Sequence, residues 1–397
     1  MDKRERVERF EKMGLGLFVH FGLFSLLGKG EWYLSRPEAD REAYAALPSR
    51  FRVRRDWAKN LVRTAQEAGA KYITLTTRHH DGFSLFDTLG LNDFDAPHSA
   101  CGRDLVAEFV QACREGGILP FFYHTLLDWR EPSYRTDFPA YLDYLNRSVE
   151  ILCTRYGKIG GLWFDGMWDK PGEDWQEDRL YGTIRKYQPD AVIINNTGLD
   201  ARGKAGHPEL DGVTFERGTP ALGQKTANLA GEMCQVLNDH WGYAAADCNY
   251  KSVGELIRNL IDCRGAGCNF LLNTGPRGNG LVNPTDRCLL REFGKWVRRN
   301  AEAVYGVRPC PAKAENAVLL EGEKALYAVV REVPVSGDPN VVLGEKESRV
   351  ILDPALRIQS ARWLDSGEEI EVADNSFAVR PFDYGTSLCA RVARLEV

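Results

Sequence analysis

Two carboxylates stand where short apolar runs stop. Asp165 closes Gly-Leu-Trp-Phe and precedes Gly166, and Glu216 closes Gly-Val-Thr-Phe and precedes Arg217. Two carboxyl groups over one pocket are the minimum needed to cleave a glycosidic bond. One attacks the anomeric carbon; the other protonates the leaving oxygen and then activates water. Read alone, Asp165 could equally cap the following turn. Its position at the end of a run and the second carboxylate at Glu216 tip the balance towards chemistry, and other run-ends carry polar groups too. His20 ends one run, and Arg78, His79, His80 and Asp81 follow another. Tyr123 and His124 end a third, with Asp128 and Trp129 just beyond, and Asn195 and Asn196 end a fourth. Of the seven histidines in the chain, His20, His79, His80 and His124 fall at these ends, a clustering that random placement would rarely give.

His79 and His80 could form a metal pair, but adjacent residues on a strand point in different directions and no HxxxH spacing supports them. An imidazole both donates and accepts, so vicinal sugar hydroxyls suit these side chains better; a purely structural pair is the remaining reading. Trp32, Trp129, Trp163 and Trp241 lie near loops or run-ends, where they could stack on sugar faces or simply pack a core. His98, His207 and Asn146, the last in an Asn-Arg-Ser sequon, carry no functional signal.

The elements that must position these residues alternate along the first 305 residues. Apolar runs at 15–22, 71–77, 118–125, 161–166, 191–196, 212–217 and 268–276 lack strict polar alternation, as strands covered on both faces do. Helical spacing separates them: Trp57, Leu61, Ala65 and Ala68, then Leu105, Phe109 and Cys113 up to Gly116–Gly117. A capping box at Ser252 and Glu255 precedes the stripe Leu256, Ile257, Leu260 and Ile261. This repetition predicts a parallel (β/α)8 TIM-like barrel over 1–307, with an eighth strand expected within 233–246. In such a barrel the active site lies at the C-terminal strand ends. No GxGxxG follows the first strand, which argues against a dinucleotide fold. Near residue 308, within a junction at 304–311, the texture changes, and short alternating segments divided by Gly, Asp, Asn and Pro predict a small antiparallel β-sandwich over 308–397.

A length of 397 residues suits one barrel with a small second domain. The net charge of −5 and the lack of a basic stripe exclude a nucleic-acid partner. No apolar run is long enough to span a membrane. The N-terminal segment MDKRERVERFEKMG is charged and helix-like, without the apolar stretch of a signal peptide, so a cytoplasmic location is expected. Ten scattered cysteines, with Cys113, Cys153 and Cys263 in apolar patterns, fit reduced thiols. No metal or organic cofactor is expected, and self-association stays open.

The motifs FVHFGLFS (18–25), EWYLSR (31–36), AGAKYITLTTRHHDGFSLF (68–86), GLWFDG (161–166), HWGY (240–243) and NFLLNTGPRGNG (269–280) resemble the α-L-fucosidases of glycoside hydrolase family 29 over about residues 10–309. The resemblance implies a barrel followed by a β-sandwich and release of terminal α-L-fucose from fucosylated glycosides, with retention through a covalent glycosyl-aspartate. It matches Asp165 to the nucleophile and His20, Glu31, Trp32, His79, His80, Tyr123 and Trp163 to sugar-pocket positions. Glu216 aligns with the acid/base, while Glu232 matches a second recurring Glu, here preceded by Gly231 where Trp is usual. Thr197 stands where an Arg is common. Trp241 is the leading candidate for an apolar wall at the sugar's C6, ahead of Phe21 and Trp129. The competing expectations are a glycosidase for another L-sugar, a non-catalytic carbohydrate-binding barrel, and a metal-dependent hydrolase using His20, His79, His80 and Asp165.

Overall fold

The computed structural model describes residues 1–336 and 347–397. Eight parallel strands close a barrel in sequence order: β1 Leu15–Val19, β2 Tyr72–Arg78, β3 Leu119–Thr125, β4 Gly161–Asp165, β5 Val192–Asn195, β6 Gly212–Thr214, β7 Ala230–Gln235 and β8 Cys268–Thr274. β8 returns to β1, with Phe18 opposite Asn273. Alternate side chains divide between two environments, as the period of a strand demands. Leu17, Val19, Ile73, Phe122, Leu162 and Ile193 face the outer helices. Phe18, Tyr72, Phe121, Tyr123, Trp163, Ile194 and Leu271 fill the interior. A helix at Lys3–Glu11, capped by Asp2 in a capping box with Glu5, closes the bottom. It inserts Phe10, which lies 5.4 Å from the Tyr72 ring and 5.7 Å from that of Phe121.

The helical spacings hold. Trp57, Leu61, Ala65 and Ala68 are the buried stripe of the helix Trp57–Ala68. That helix meets Pro284–Arg299 so closely that a Cβ at Gly294 would stand 1.9 Å from the Glu67 carbonyl oxygen, so only glycine fits there. Ser252 caps Val253–Gly265 by accepting the Glu255 N–H.

Two expectations need correction. The eighth barrel strand starts at Ala230, three residues before the expected window. Its sequence, AGEMCQ, carries Glu232 into the barrel interior, which disguised it, and most of CQVLNDHWGY is loop. In the C-terminal region a three-stranded sheet (β10 Ala314–Glu315, β13 Ser348–Leu352, β15 Ser376–Val379) faces a five-stranded one. The latter has the order β14 Ser360–Trp363, β16 Arg391–Glu396, β12 Leu326–Val330, β11 Val318–Glu321, β9 Arg308–Pro309. Leu319, Val350, Trp363, Phe377 and Ala393 fill the space between them, so the sandwich forms. The segment EEIEVAD (368–374) contributes only isolated bridges, at Glu369 and Ala373, while β16, which carried no expectation, pairs with two neighbours in its sheet.

Candidate active site

Period-two alternation carries one residue from most strand ends into the mouth of the barrel. His20 extends β1, and its Nδ1 lies 2.7 Å from Asn273 Oδ1 on β8. The Asn273 amide nitrogen is spent on the Trp241 carbonyl at 2.7 Å, so His20 must donate from Nδ1. Burial lowers the His20 pKa to about 3, keeping the ring neutral with Nε2 as an acceptor. The register of β2 slips between Thr76 and Arg78, and this bulge re-aims the side chains beyond it. His79 lands stacked on Tyr123, with ring centroids 5.6 Å apart and planes 13° apart, and burial holds its pKa well below the usual range. His80 Nδ1 donates to Thr125 Oγ1 at 2.7 Å, since that hydroxyl already donates to the Leu127 carbonyl at 2.6 Å.

Asp165 ends β4 at the centre of this arrangement. Its Oδ2 accepts the Tyr123 hydroxyl at 3.0 Å and lies 3.4 Å from His80 Nε2. Its Oδ1 accepts the Trp168 indole N–H at 3.0 Å and the Asn196 amide at 3.1 Å. Burial pushes the Asp165 pKa up, but His80 and the donors from Trp168 and Tyr123 outweigh it and hold the carboxyl below its ordinary value. Glu216, two residues past β6, accepts the same Asn196 amide at 2.9 Å. Burial and the nearby Asp165 charge raise its pKa, against the opposing effect of Asn196, Arg217 and Arg202. One carboxyl is thus disposed to stay ionised and the other to keep its proton, the division that nucleophile and acid require.

The rest of the pocket is built around this pair. Glu31 is buried and accepts the Gly242 N–H at 2.7 Å, with burial raising its pKa. Trp241 lies 5.3 Å from His20 under the Arg217 guanidinium. Trp163 forms the floor, 5.6 Å from the Tyr123 ring. Trp32 and Trp168 stack 6.1 Å apart at the rim, with Trp129 5.2 Å from Trp32. A cleft of about 320 Å³ bordered by Glu31, Trp32, Leu199, Glu216 and Trp241 opens on the Glu216 side of the pair; Asp165, His20, His79 and His80 do not line it.

The α-L-fucosidase family model matches residues 1–302. The chain belongs to the alpha-L-fucosidase family. It is 27% identical to the α-L-fucosidase of Dictyostelium discoideum, over 76% of this chain and 71% of that one. It is also 27% identical to human tissue α-L-fucosidase, over 86% of this chain and 79% of the other. The structure of α-L-fucosidase isoenzyme 1 from Paenibacillus thiaminolyticus superposes with a TM-score of 0.86 at 30% identity, covering 100% of this chain and 99% of that one.

In this fucosidase-family chain the structure gathers His20, Glu31, Trp32, His79, His80, Tyr123, Trp163, Asp165, Glu216 and Trp241 at one end of the barrel. Other run-end residues go elsewhere. His124 faces outwards, bonded to Ser148 on the helix Phe138–Arg155 at 2.8 Å, so three of the four run-end histidines converge, not all four. Asn195 also turns out, donating to Tyr181 at 3.1 Å. Arg78 and Asp128 form a fully buried ion pair, and Asp81 accepts the Tyr44 hydroxyl at 2.5 Å, so these three brace the loops. Phe21 packs outside the barrel against Phe51 and Trp57 and cannot wall the sugar. Glu232 lies beneath the pocket, accepting Trp163 Nε1 at 2.9 Å and the Tyr72 hydroxyl, and makes no contact with Asp165. Thr197 donates its hydroxyl to the Ala201 carbonyl at 2.8 Å.

Sequence reasoning missed Trp168 and the role of Asn196. Gly166 adopts φ +100, where a Cβ would meet Leu127 at 3.0 Å, and this tight turn brings Trp168 back over Asp165; the only signal for it in the sequence is the glycine directly after Asp165 with a Trp two residues on. Among the described residues, no group of three or more His, Cys, Asp or Glu is arranged to hold a metal ion, and no helix is long and apolar enough to cross a membrane.

Proposed function

We propose that this enzyme releases a terminal α-L-fucosyl unit from glycosides with retention of configuration, using Asp165 as nucleophile and Glu216 as acid/base. The observation that carries the reading is that one amide, Asn196, reaches both carboxylates, at 3.1 Å and 2.9 Å. The bridged oxygens can be no farther apart than those two contacts laid end to end. That favours the roughly 5–5.5 Å carboxyl spacing of retaining enzymes over the roughly 6.5–9.5 Å that leaves room for an attacking water.

In the first step Glu216 gives its proton to the glycosidic oxygen while an Asp165 oxygen attacks the anomeric carbon. The C–O bond to the aglycone breaks, and the aglycone leaves as an alcohol. In the second step the Glu216 carboxylate takes a proton from water, the water oxygen attacks the same carbon, and the ester to Asp165 breaks. Neutral His20 and His79 offer ring nitrogens to the sugar hydroxyls, and Trp241 offers an apolar surface suited to a C6 methyl. A hydroxyl added at C6 is penalised by roughly a hundredfold at most on such a wall. Ten unpaired cysteines, several packed in the core, support a reducing, cytoplasmic setting.

The test is a panel of aryl glycosides read by initial rate, with NMR of the first-formed anomer. Aryl α-L-fucosides should turn over best and give the α-anomer first. Best turnover on a D-glycoside, or β-fucose as first product, would overturn the reading.

A further inference from the structure

Asn196 is the first residue past β5, only 2% exposed, and its orientation is fixed from both ends. Its amide oxygen accepts the Thr214 hydroxyl at 2.8 Å from β6. Its amide nitrogen has two hydrogens, and two carboxylate oxygens stand within bonding distance of it: Asp165 Oδ1 and Glu216 Oε2. Flipping the amide would set its oxygen against both carboxylates and its nitrogen against the Thr214 hydroxyl, so the observed orientation keeps donors on acceptors. We infer that Asn196, locked by Thr214, is a positioning residue that ties the nucleophile to the acid/base and sets their spacing. The inference rests on the roles proposed above for Asp165 and Glu216.

The geometry has three consequences. Two carboxylates this close repel, and a neutral donor shared between them offsets part of that repulsion without adding a charge. Because Oε2 of Glu216 accepts the amide, its other oxygen is the one left to carry the proton to the leaving group. No cation does this work from the same strand end: Thr197, the next residue, turns its hydroxyl to Ala201. Arg202, from the following turn, bonds the backbone carbonyl of Glu216 at 2.7 Å, not its carboxylate. The charged and titratable groups around the bridge are therefore His20, His80 and Tyr123 on the Asp165 side, Arg202 and Arg217 on the Glu216 side, and the buried Cys234 thiol of β7 near both carboxylates.

The test compares Asn196→Ala, Thr214→Val and Thr214→Ser with the parent enzyme across pH on an aryl α-L-fucoside. Losing a hydrogen bond to charged partners should lower kcat/KM by roughly 10- to 100-fold in Asn196→Ala, mainly through kcat. A donor that favours the ionised form of both carboxyls is then gone, so both limbs of the pH profile should move to higher pH. Thr214→Val, nearly isosteric, should shift the limbs in the same direction by less, and Thr214→Ser should restore them. If Asn196→Ala does not fold, the Thr214 pair decides alone. A folded Asn196→Ala with parent-like limbs and kcat/KM within about twofold, or Thr214 variants with unmoved limbs, would overturn the bridge. Asp165→Ala, assayed alongside, separates the two failures. If it is active, the nucleophile assignment falls; if it is dead while Asn196→Ala is normal, only the bridge falls.

Discussion

Glu232 offers the sharpest test of how the barrel interior is built. It is 1% exposed inside the barrel, and its partners are the Trp163 indole and the Tyr72 hydroxyl, neither of them a cation. Burial raises its pKa from 4.5 to about 7, with the two hydrogen bonds opposing the rise only in part. A carboxyl whose folded value lies above its unfolded one binds its proton more tightly in the folded protein. The resulting stabilisation is complete below the unfolded pKa and is lost as pH rises through the folded one. At about 1.4 kcal/mol per unit, the gap between those two values is worth on the order of 3 kcal/mol. Glu232→Gln keeps the shape and carries no charge at any pH. Urea unfolding of both proteins at about pH 4.5 and about pH 8, followed by circular dichroism, isolates this residue, because every other titrating group is common to the pair. The stability difference should shift by about 3 kcal/mol in favour of Glu232→Gln on going to the higher pH. A difference that stays constant within about 0.5 kcal/mol would refute a neutral buried Glu232. Glu232→Gln should also keep the bulk of its turnover, because Glu232 supports Trp163 from below and does not reach Asp165; loss of activity comparable to that in Glu216→Gln would return the acid/base role to Glu232.

Asp165→Gly should fold normally, lose activity by roughly 10³-fold or more, and recover part of it with azide, whose attack replaces the missing carboxylate; near-normal turnover without azide would remove Asp165 as nucleophile. The pH profile of kcat/KM should be bell-shaped. Activity falls at low pH as Asp165 is protonated, below the ordinary aspartate range, and at high pH as Glu216 loses its proton, above the ordinary glutamate range. A profile with only one limb would contradict the division of roles. His79→Ala should lower kcat/KM far more than stability, whereas Asp128→Ala, which strands the buried Arg78 charge, should cost about 3–5 kcal/mol of stability. Reversal of that ordering in thermal melts and kinetics would show that the two residues had been assigned to the wrong tasks.

The barrel was legible because its strands are apolar on both faces and bounded by turn residues, which fixes where each one stops. What run-ends alone do not state is parity. His124 and Asn195 sit one position out of phase with the pocket, and only the register of their strands reveals that they face the helices. β7 was obscured by the opposite effect: it places a glutamate inside the barrel, where a hydrogen-bonded neutral carboxyl counts as interior but reads as polar. β16 was passed over because the arginines of RVARLE stand three apart, which breaks period-two alternation, while EEIEVAD alternates convincingly yet finds only isolated bridge partners. Trp168 belongs to a turn, not a strand, so a search confined to strand ends could not reach it. Asn196 was visible as a strand-end amide, but nothing in one chain's order shows that two carboxylates will come to stand either side of it.

The Trp168 indole has a use outside catalysis. It is 36% exposed, stacked on Trp32, and hydrogen-bonded to the carboxylate that the sugar would occupy. Esterification of Asp165 would remove a negative charge from beside the indole N–H, and a bound sugar would displace water from its face. Both events alter the polarity that an excited indole senses. The protein therefore carries its own optical reporter at the reacting group, and stopped-flow emission could time the arrival and departure of a glycosyl unit without any attached dye.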